Sequence, residues 1–361
     1  MKKIIALLLI AASVFALASC SQSQKQEYLN SLVEDNDFSG VVLMTENGRT
    51  VCEVAGGVEK TNSNEPITID TRFCIGSVSK QFAAAAILTL QQDGKLNVND
   101  RLEKYFPDYK YGNKLTIQHL LDMRSGIKEF YDVEYIDDAF TELPTGELRG
   151  VVTNNNSAEE NQKLLEDWLM KQPLDFEPDT NFDYSNSNYF LLARIVEIVS
   201  GESYNDYVHE TIFEPLGMNN SSFIDEDDFR SVSHLAAPTV HPQTVYVGVT
   251  MGLGDIITNA RDMDRWLTSL RTNQILTEES VKMMTTDYTE SDDQDYGYGI
   301  RMNDLGLFHT GYITTYQAIA YTDPEKGVNI FIVTNDDINP DINVIDICWG
   351  LLEKTEEETK A

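Results

Sequence analysis

The stretch Phe73-Cys-Ile-Gly-Ser-Val-Ser-Lys-Gln-Phe-Ala-Ala-Ala-Ala-Ile87 joins a short β-prone segment to an alanine-rich run. From Gln81 to Gln92 it carries alanine at four consecutive positions, then Ile87, Leu88 and Leu90, and Gly94 follows as a C-terminal cap. A helix apolar nearly all round is a core helix. Its start places Ser77 and Lys80 at the joint. Residues three apart on a helix share a face, so a helix beginning near Ser77 brings the Lys80 amine to the Ser77 hydroxyl. A serine hydroxyl is a poor nucleophile until something takes its proton. An amine does so when desolvation or nearby positive charge disfavours its charged form. The helix N-terminus adds unpaired N–H groups and positive potential, suited to a developing oxyanion. The plainer reading is an N-cap serine followed by a solvated lysine. A second Ser-x-x-Lys, Ser125 to Lys128, runs into charged and aromatic residues that offer no buried helix.

Working outward, Gly40-Val-Val-Leu-Met-Thr and Thr50-Val-Cys-Glu-Val-Ala read as two strands joined at Asn47-Gly48, a strong hairpin signal. From Asn97 to about His241 the pattern is helices and loops, with helices expected near Ile117 to Met123, Gln162 to Met170, Tyr189 to Val199 and Tyr204 to Phe213. Around Asn154 to Asn156 the chain is polar, which suggests an exposed loop or lid within 130–162. Strand-like segments return at Ile300 to Met302, Tyr316 to Tyr321 and Val328 to Val333, and Ile342 to Leu352 closes the chain as an apolar helix. The economical fold class is α/β (α+β): one antiparallel sheet built from both ends of the chain, flanked by helices, with a helical lobe inserted. The expected limits are about 28–90 and 245–354 for the α/β lobe, 91–244 for the helical lobe, and 355–361 for an acidic tail.

The chain opens Met1-Lys-Lys, followed by an apolar run too short to span a bilayer, and reaches Leu17-Ala-Ser-Cys20. This reads as a secretory signal over 1–19, and Cys20 resembles the lipidated cysteine of bacterial lipoproteins, with 20–27 as a tether. The alternative is an ordinary signal peptide cut nearby. A formal net charge of -32 repels nucleic acid and anionic headgroups, so no nucleic-acid partner is expected and membrane contact falls to the anchor. Cys52, Cys74 and Cys348 form no zinc or disulfide pattern. Cys52 and Cys74 are the nearer pair for a single bridge, with buried free thiols the alternative. His119, His209, His234, His241 and His309 show no metal-ligand spacing, so no metal is expected.

Two further stretches carry groups suited to chemistry. In Asp183-Tyr-Ser-Asn-Ser-Asn188, Tyr184 and Asn186 stand two apart, so an extended segment points a phenol and an amide the same way. Adjacent lysine charge favours the phenolate form of such a tyrosine. The plainer reading is a packed tyrosine and a helix-capping asparagine. His309-Thr-Gly311 follows Tyr296-Gly-Tyr-Gly299 in a strand-like run, where glycine marks close approach of another backbone or a ligand.

Ser77-x-x-Lys80, Tyr184-x-Asn186 and His309-Thr310-Gly311, in this order, resemble the serine β-lactamase and penicillin-binding protein family, in its class C β-lactamase and D,D-peptidase branch. Thr116 to Gly126 and Gly252 to Leu267 are similar to further segments of the family, and the resemblance covers about Phe38 to Leu352. It implies a β-lactamase/transpeptidase-like fold without cofactor. It also implies Ser77 as the acylated nucleophile, with Lys80 as its general base or as the charge that keeps Tyr184 basic. Tyr184 would relay the proton to the leaving group, Asn186 would hold the substrate amide, and the backbone N–H groups of Ser77 and Tyr312 would form the oxyanion hole. His309 stands where true β-lactamases usually carry lysine and where several D,D-peptidase and esterase-like relatives carry histidine, and Met123-Arg124 stands where the family usually has His-Thr. The expected function is an envelope-anchored serine hydrolase of amide or ester bonds in small-molecule or peptide substrates, D-amino-acid peptides or muropeptides among them. The alternatives are a class C-like β-lactamase and a non-catalytic relative that binds penicillin or cell-wall fragments.

Overall fold

A computed structural model describes residues 22–34, 38–59, 65–136, 139–224, 233–237, 246–289, 295–335 and 343–359. The signal-like segment and Cys20 lie outside the described residues. Along the chain a helix over 22–34 (α1) leads into β1 (Gly40–Glu46) and β2 (Arg49–Gly56). Then come β3 (Phe73–Cys74), a 3-10 turn over Gly76–Ser79, α2 (Lys80–Gln92) and α3 (Ile117–Leu121). A hairpin, β4 (Tyr131–Ile136) and β5 (Ala139–Pro144), precedes α4 (Ala158–Leu169) and α5 (Asn186–Ser200). Next stand α6 (Tyr204–Val208), a π turn over His209–Phe213, α7 (Glu214–Leu216) and β6 (Ser222–Phe223). The chain returns through β7 (Ile256–Thr258), α8 (Ala260–Thr272), α9 (Glu278–Met284), β8 (Arg301–Asn303), β9 (Gly306–Ile313), β10 (Tyr316–Asp323), β11 (Val328–Thr334) and α10 (Val344–Thr359).

Six strands form one antiparallel sheet in the order β2-β1-β11-β10-β9-β8, so the first hairpin pairs with the last third of the chain, as expected. Asn47 and Gly48 both have positive φ, the requirement of a two-residue turn whose twist matches its strands. The sheet is buried on both faces. Val41, Leu43, Ala318, Ala320, Phe331 and Val333 face the large core with α2, α5 and α8. Their alternates Val42, Met44, Ile319, Ile330 and Ile332 face a smaller core with Leu29 of α1 and Ile347 and Leu351 of α10. A period of two on strands with both neighbours apolar accounts for the near-continuous runs Val-Val-Leu-Met and Ile-Phe-Ile-Val.

Two sequence expectations change. The tether expected at 20–27 is, from residue 22, the start of α1, and Gln26 both donates to the Glu53 carbonyl (2.9 Å) and accepts from the Glu53 N–H (3.3 Å), closing the outer edge of β2 with a side-chain amide. The acidic tail from 355 continues α10 to Thr359. The exposed loop expected around Asn154 to Asn156 is present ahead of α4, and the wider 130–162 region also contains the β4–β5 hairpin, whose six paired positions run Tyr131↔Pro144 to Ile136↔Ala139. Of the two readings of the cysteines, the free thiol holds for the three described: Cys52, Cys74 and Cys348 are free and buried, Cys74 lies in the large core and Cys52 in the smaller one, so the sheet separates the nearer pair, and burial pushes the Cys52 thiol up to about 11.

The core around α2 centres on Phe82, whose ring lies 4.5 Å from that of Trp266 and 5.6 Å from that of Phe213. Trp266 in turn donates from Nε1 to Gln81 Oε1 at 2.7 Å. Phe82→Ala is expected to cost about 3–5 kcal/mol in urea unfolding. A loss below about 1 kcal/mol would contradict this packing.

Candidate active site

The 3-10 turn Gly76–Ser79 holds Ser77 at the mouth of α2, and α-helical geometry begins only at Lys80. Lys80 is fully buried, and its Nζ lies 3.0 Å from Ser77 Oγ, 2.8 Å from Asn186 Oδ1 and 2.8 Å from the Leu253 carbonyl oxygen. The carbonyl and the amide oxygen can only accept, so they use two of its hydrogens. The third position faces the serine. On an ammonium it donates to Oγ; on a neutral amine it is a lone pair able to take the serine proton. The sequence placed Lys80 beside Ser77; its partnership with Asn186 and the Leu253 loop emerges only in three dimensions.

Strand β9 is pressed against this turn. A Cβ on Gly311 would stand 1.9 Å from the Ile75 carbonyl oxygen and 3.1 Å from Ser77 N, and one on Gly76, at φ +51°, would stand 2.8 Å from Tyr312 N. The close approach expected at Gly311 is therefore to the backbone that carries the serine. Beyond β8, which pairs only with Gly306 to Phe308, the remainder of β9 borders a cavity of about 370 Å3 with Ser77, Tyr184, Arg301, Thr310 and Gln317 in its wall.

Tyr184 is half-buried, its ring centroid 5.0 Å from Lys80 Nζ and 5.6 Å from Arg301 Cζ. His309 is buried; its Nδ1 stands 2.6 Å from the Thr310 carbonyl oxygen and its Nε2 3.3 Å from the Tyr296 hydroxyl. A carbonyl only accepts, so Nδ1 carries the hydrogen and Nε2 accepts a hydrogen bond from the Tyr296 hydroxyl. Burial first, then the Arg301 and Lys80 charges, hold the imidazole well below its usual pKa, which makes it neutral. Arg301 is the group that sequence reading passed over. It is also the one charged side chain among the described residues of the cavity wall. The Tyr-Gly-Tyr-Gly run two residues before it was the available signal.

A supporting layer fixes α5. Glu129 accepts from the backbone N–H groups of Phe130 (2.8 Å), Tyr131 (2.9 Å) and Asn186, tying the hairpin root to the first residue of α5. The second Ser-x-x-Lys is structural: Ser125 is buried and donates to Asn188 Oδ1 at 2.5 Å, while Lys128 lies 3.8 Å from Asp175. Met123, at φ +62°, turns its sulfur to the Ser185 N–H (3.5 Å) and Asn188 Nδ2 (3.3 Å). Arg124 pairs with Asp179 at 3.0 Å and donates to the Tyr288 carbonyl at 2.7 Å. The Met-Arg departure thus packs and ties the loops behind Tyr184.

The sequence profile of the Beta-lactamase family matches residues 26–346. The chain belongs to the beta-lactamase family. Its serine β-lactamase and penicillin-binding protein relatives include the putative penicillin-binding protein PbpX of Bacillus subtilis, 28% identical over 283 residues, covering 76% of this chain and 65% of PbpX. The protein flp of Staphylococcus aureus is 25% identical over 338 residues, 88% of this chain and 64% of flp. The chain therefore spans less than two thirds of the length of these curated relatives. Among solved structures, the octameric penicillin-binding protein homologue from Pyrococcus abyssi superposes with a TM-score of 0.74 at 24% identity, over 92% of this chain and 77% of that one. The D-amino acid amidase from Ochrobactrum anthropi SV3 does so with a TM-score of 0.73 at 20% identity, over 94% and 98%. These neighbours bear out the β-lactamase/transpeptidase-like fold, and beta-lactamase-fold proteins are generally serine hydrolases.

Gly311→Ala forces β9 away from the Ser77 turn. We expect it to lower the unfolding free energy by about 1–3 kcal/mol and to slow acylation by a serine-directed reagent more than tenfold, about 1.4 kcal/mol in barrier. An alanine variant with wild-type acylation would contradict the backbone contact.

Proposed function

We propose that this beta-lactamase family member is an envelope-anchored serine hydrolase that acts through an acyl-enzyme on amide or ester bonds, with D-amino-acid peptides or muropeptides as its substrate class. The observation that carries the reading is the buried Lys80 amine, saturated by two obligate acceptors and turned with its third position on Ser77 Oγ. In this reading Ser77 Oγ attacks the carbonyl carbon as its proton passes to Lys80, directly or on to Tyr184. Donors at the Ser77 and Tyr312 peptides meet the oxygen that becomes negative. Tyr184 protonates the departing amine or alcohol. A water then attacks the Ser77 ester, gives its proton to the same base and releases the acid, restoring the serine hydroxyl. Asn186 serves as the partner that orients Lys80 as well as a candidate for the substrate amide. Thr310 and Gly311 line the strand edge along which the substrate lies.

Arg301 favours a substrate with a free carboxylate at this end of the cavity, since a permanent cation in the wall of a strongly acidic protein attracts an anionic group. With His309 neutral, Arg301 is the permanent cation of the cavity wall for such a carboxylate, which a peptide C-terminus and a penicillin both carry. Relatives named as penicillin-binding proteins and as a D-amino acid amidase lie in the same substrate range. Cys20 is the proposed lipid attachment point, with the domain beginning two residues later in α1.

The test is a panel of D- and L-amino-acid amides, a D-alanyl-D-alanine peptide and benzylpenicillin, assayed with wild type and Ser77→Ala. We expect hydrolysis of the D-configured amides or peptides, a loss of at least about a thousandfold in Ser77→Ala, about 4 kcal/mol in barrier, and slow release of any penicilloyl group. Turnover that survives Ser77→Ala would overturn the reading. Rapid penicillin hydrolysis with no peptide turnover would replace the proposed substrate with the β-lactam alternative, and no acylation by any of these would favour the binding-only relative.

A further inference from the structure

Tyr184 is faced from several elements at once. Lys80 comes from α2, with Nζ 5.0 Å from the ring centroid, and Arg301 from β8, with Cζ at 5.6 Å. His309 of β9 stands 6.2 Å away ring to ring, and Tyr296, from the segment before β8, also at 6.2 Å, meets it edge-on at 89°. Tyr189 of α5 is buried behind them, and Asp183 is the neighbouring carboxyl along the chain. His309 is neutral as argued above. Lys80 changes charge whenever it takes or returns the serine proton. Arg301 is therefore the group facing Tyr184 whose positive charge persists through every proton transfer.

Its placement is built into the backbone. Gly297 N donates to the Ile300 carbonyl at 2.9 Å, closing a turn, and Tyr296 and Arg301 form an antiparallel bridge. A Cβ on Gly297 would stand 2.2 Å from the Met284 carbonyl oxygen, and one on Gly299, at φ +68°, would stand 2.6 Å from the Lys80 carbonyl oxygen. The Tyr-Gly-Tyr-Gly run is thus wedged between the end of α9 and the first turn of α2. Arg301 and Lys80 reach Tyr184 from two segments that touch through their backbones. The Arg301 guanidinium also lies 5.5 Å from the Tyr296 ring centroid, held between two aromatic faces.

We propose that Arg301 is a positioning residue for the reaction: it acts through Tyr184, stabilising the phenolate and so setting the pH at which the acyl-transfer base becomes competent, in addition to any hold on the substrate. The inference rests on the serine-hydrolase reading above. A cation within about 4–6 Å lowers the pKa of an acid by about 1–3 units, so its removal moves the acidic limb of kcat/KM to higher pH.

The experiment uses a substrate without a carboxylate, 4-nitrophenyl acetate, and compares the pH profiles of kcat/KM for wild type, Arg301→Lys and Arg301→Gln. The acidic limb is expected to rise by about one unit or more in Arg301→Gln and to return most of the way in Arg301→Lys. In a Tyr184→Phe background, Arg301→Gln should move the limb of the residual rate no further. An unmoved limb with the neutral ester, accompanied by a raised KM only for carboxylate-bearing peptides, would overturn the proposal and leave Arg301 as a substrate anchor. A shift that persists in Tyr184→Phe would equally overturn action through Tyr184. Ser77→Ala separates the two levels: if it still turns over the ester, the hydrolase reading falls, and if it is inactive while the Arg301 profiles coincide, only this inference falls.

Discussion

The site depends on one buried amine. Removing Lys80 from water is costly unless its hydrogens meet acceptors, and three are supplied by segments far apart in sequence: the Ser77 turn, the first residue of α5 and the loop at Leu253. The fold must close around this nitrogen for the charge or lone pair to be tolerated there. That requirement aligns the serine before any substrate arrives. The apolar helix following Lys80 supplies the dehydration, since eleven residues of α2 from Lys80 to Leu90 are buried.

Backbone contact, more than side-chain packing, sets the second constraint. Gly76, Gly299 and Gly311 sit where the Ser77 turn, the loop before β8 and β9 touch, and at each a Cβ would fall within 2.8 Å of a backbone atom. Tight backbone seams leave little play between the serine and the strand edge beside it. The site is therefore positioned by regular elements and short turns, which favours a fixed acyl-transfer geometry. The supporting carboxylate of Glu129 extends the same logic to α5, because it ties Asn186 to the root of the β4–β5 hairpin.

Much of this was legible in the sequence wherever local chemistry and packing agree. Asn47-Gly48 announces its turn because both residues tolerate positive φ, and the runs of β1 and β11 announce a doubly buried sheet. Ser77 and Lys80 stand out because a lysine at the head of an all-apolar helix has no solvent to reach. The β4–β5 hairpin was not legible: Tyr131 to Ile136 mixes charge with aromatics, and its partner Ala139 to Pro144 carries no alternation that marks it as a strand. Arg301 escaped for a related reason. An arginine on a three-residue edge strand reads as a solvated charge, and its meeting with Tyr184 depends on the glycine turn before it. The nearer cysteine pair was equally ambiguous along the chain, and the sheet running between Cys52 and Cys74 decides it.

The central claim is that Lys80 makes Ser77 a nucleophile. Intact-mass spectrometry after brief exposure to a fluorophosphonate, with peptide mapping and with Lys80→Ala compared at matched circular dichroism, tests it most directly. The account predicts a single adduct on Ser77 in the wild type and a labelling rate at least about a hundredfold lower in folded Lys80→Ala, about 2.7 kcal/mol in barrier. Equal labelling of the two proteins, or an adduct that maps to Ser125, would contradict it.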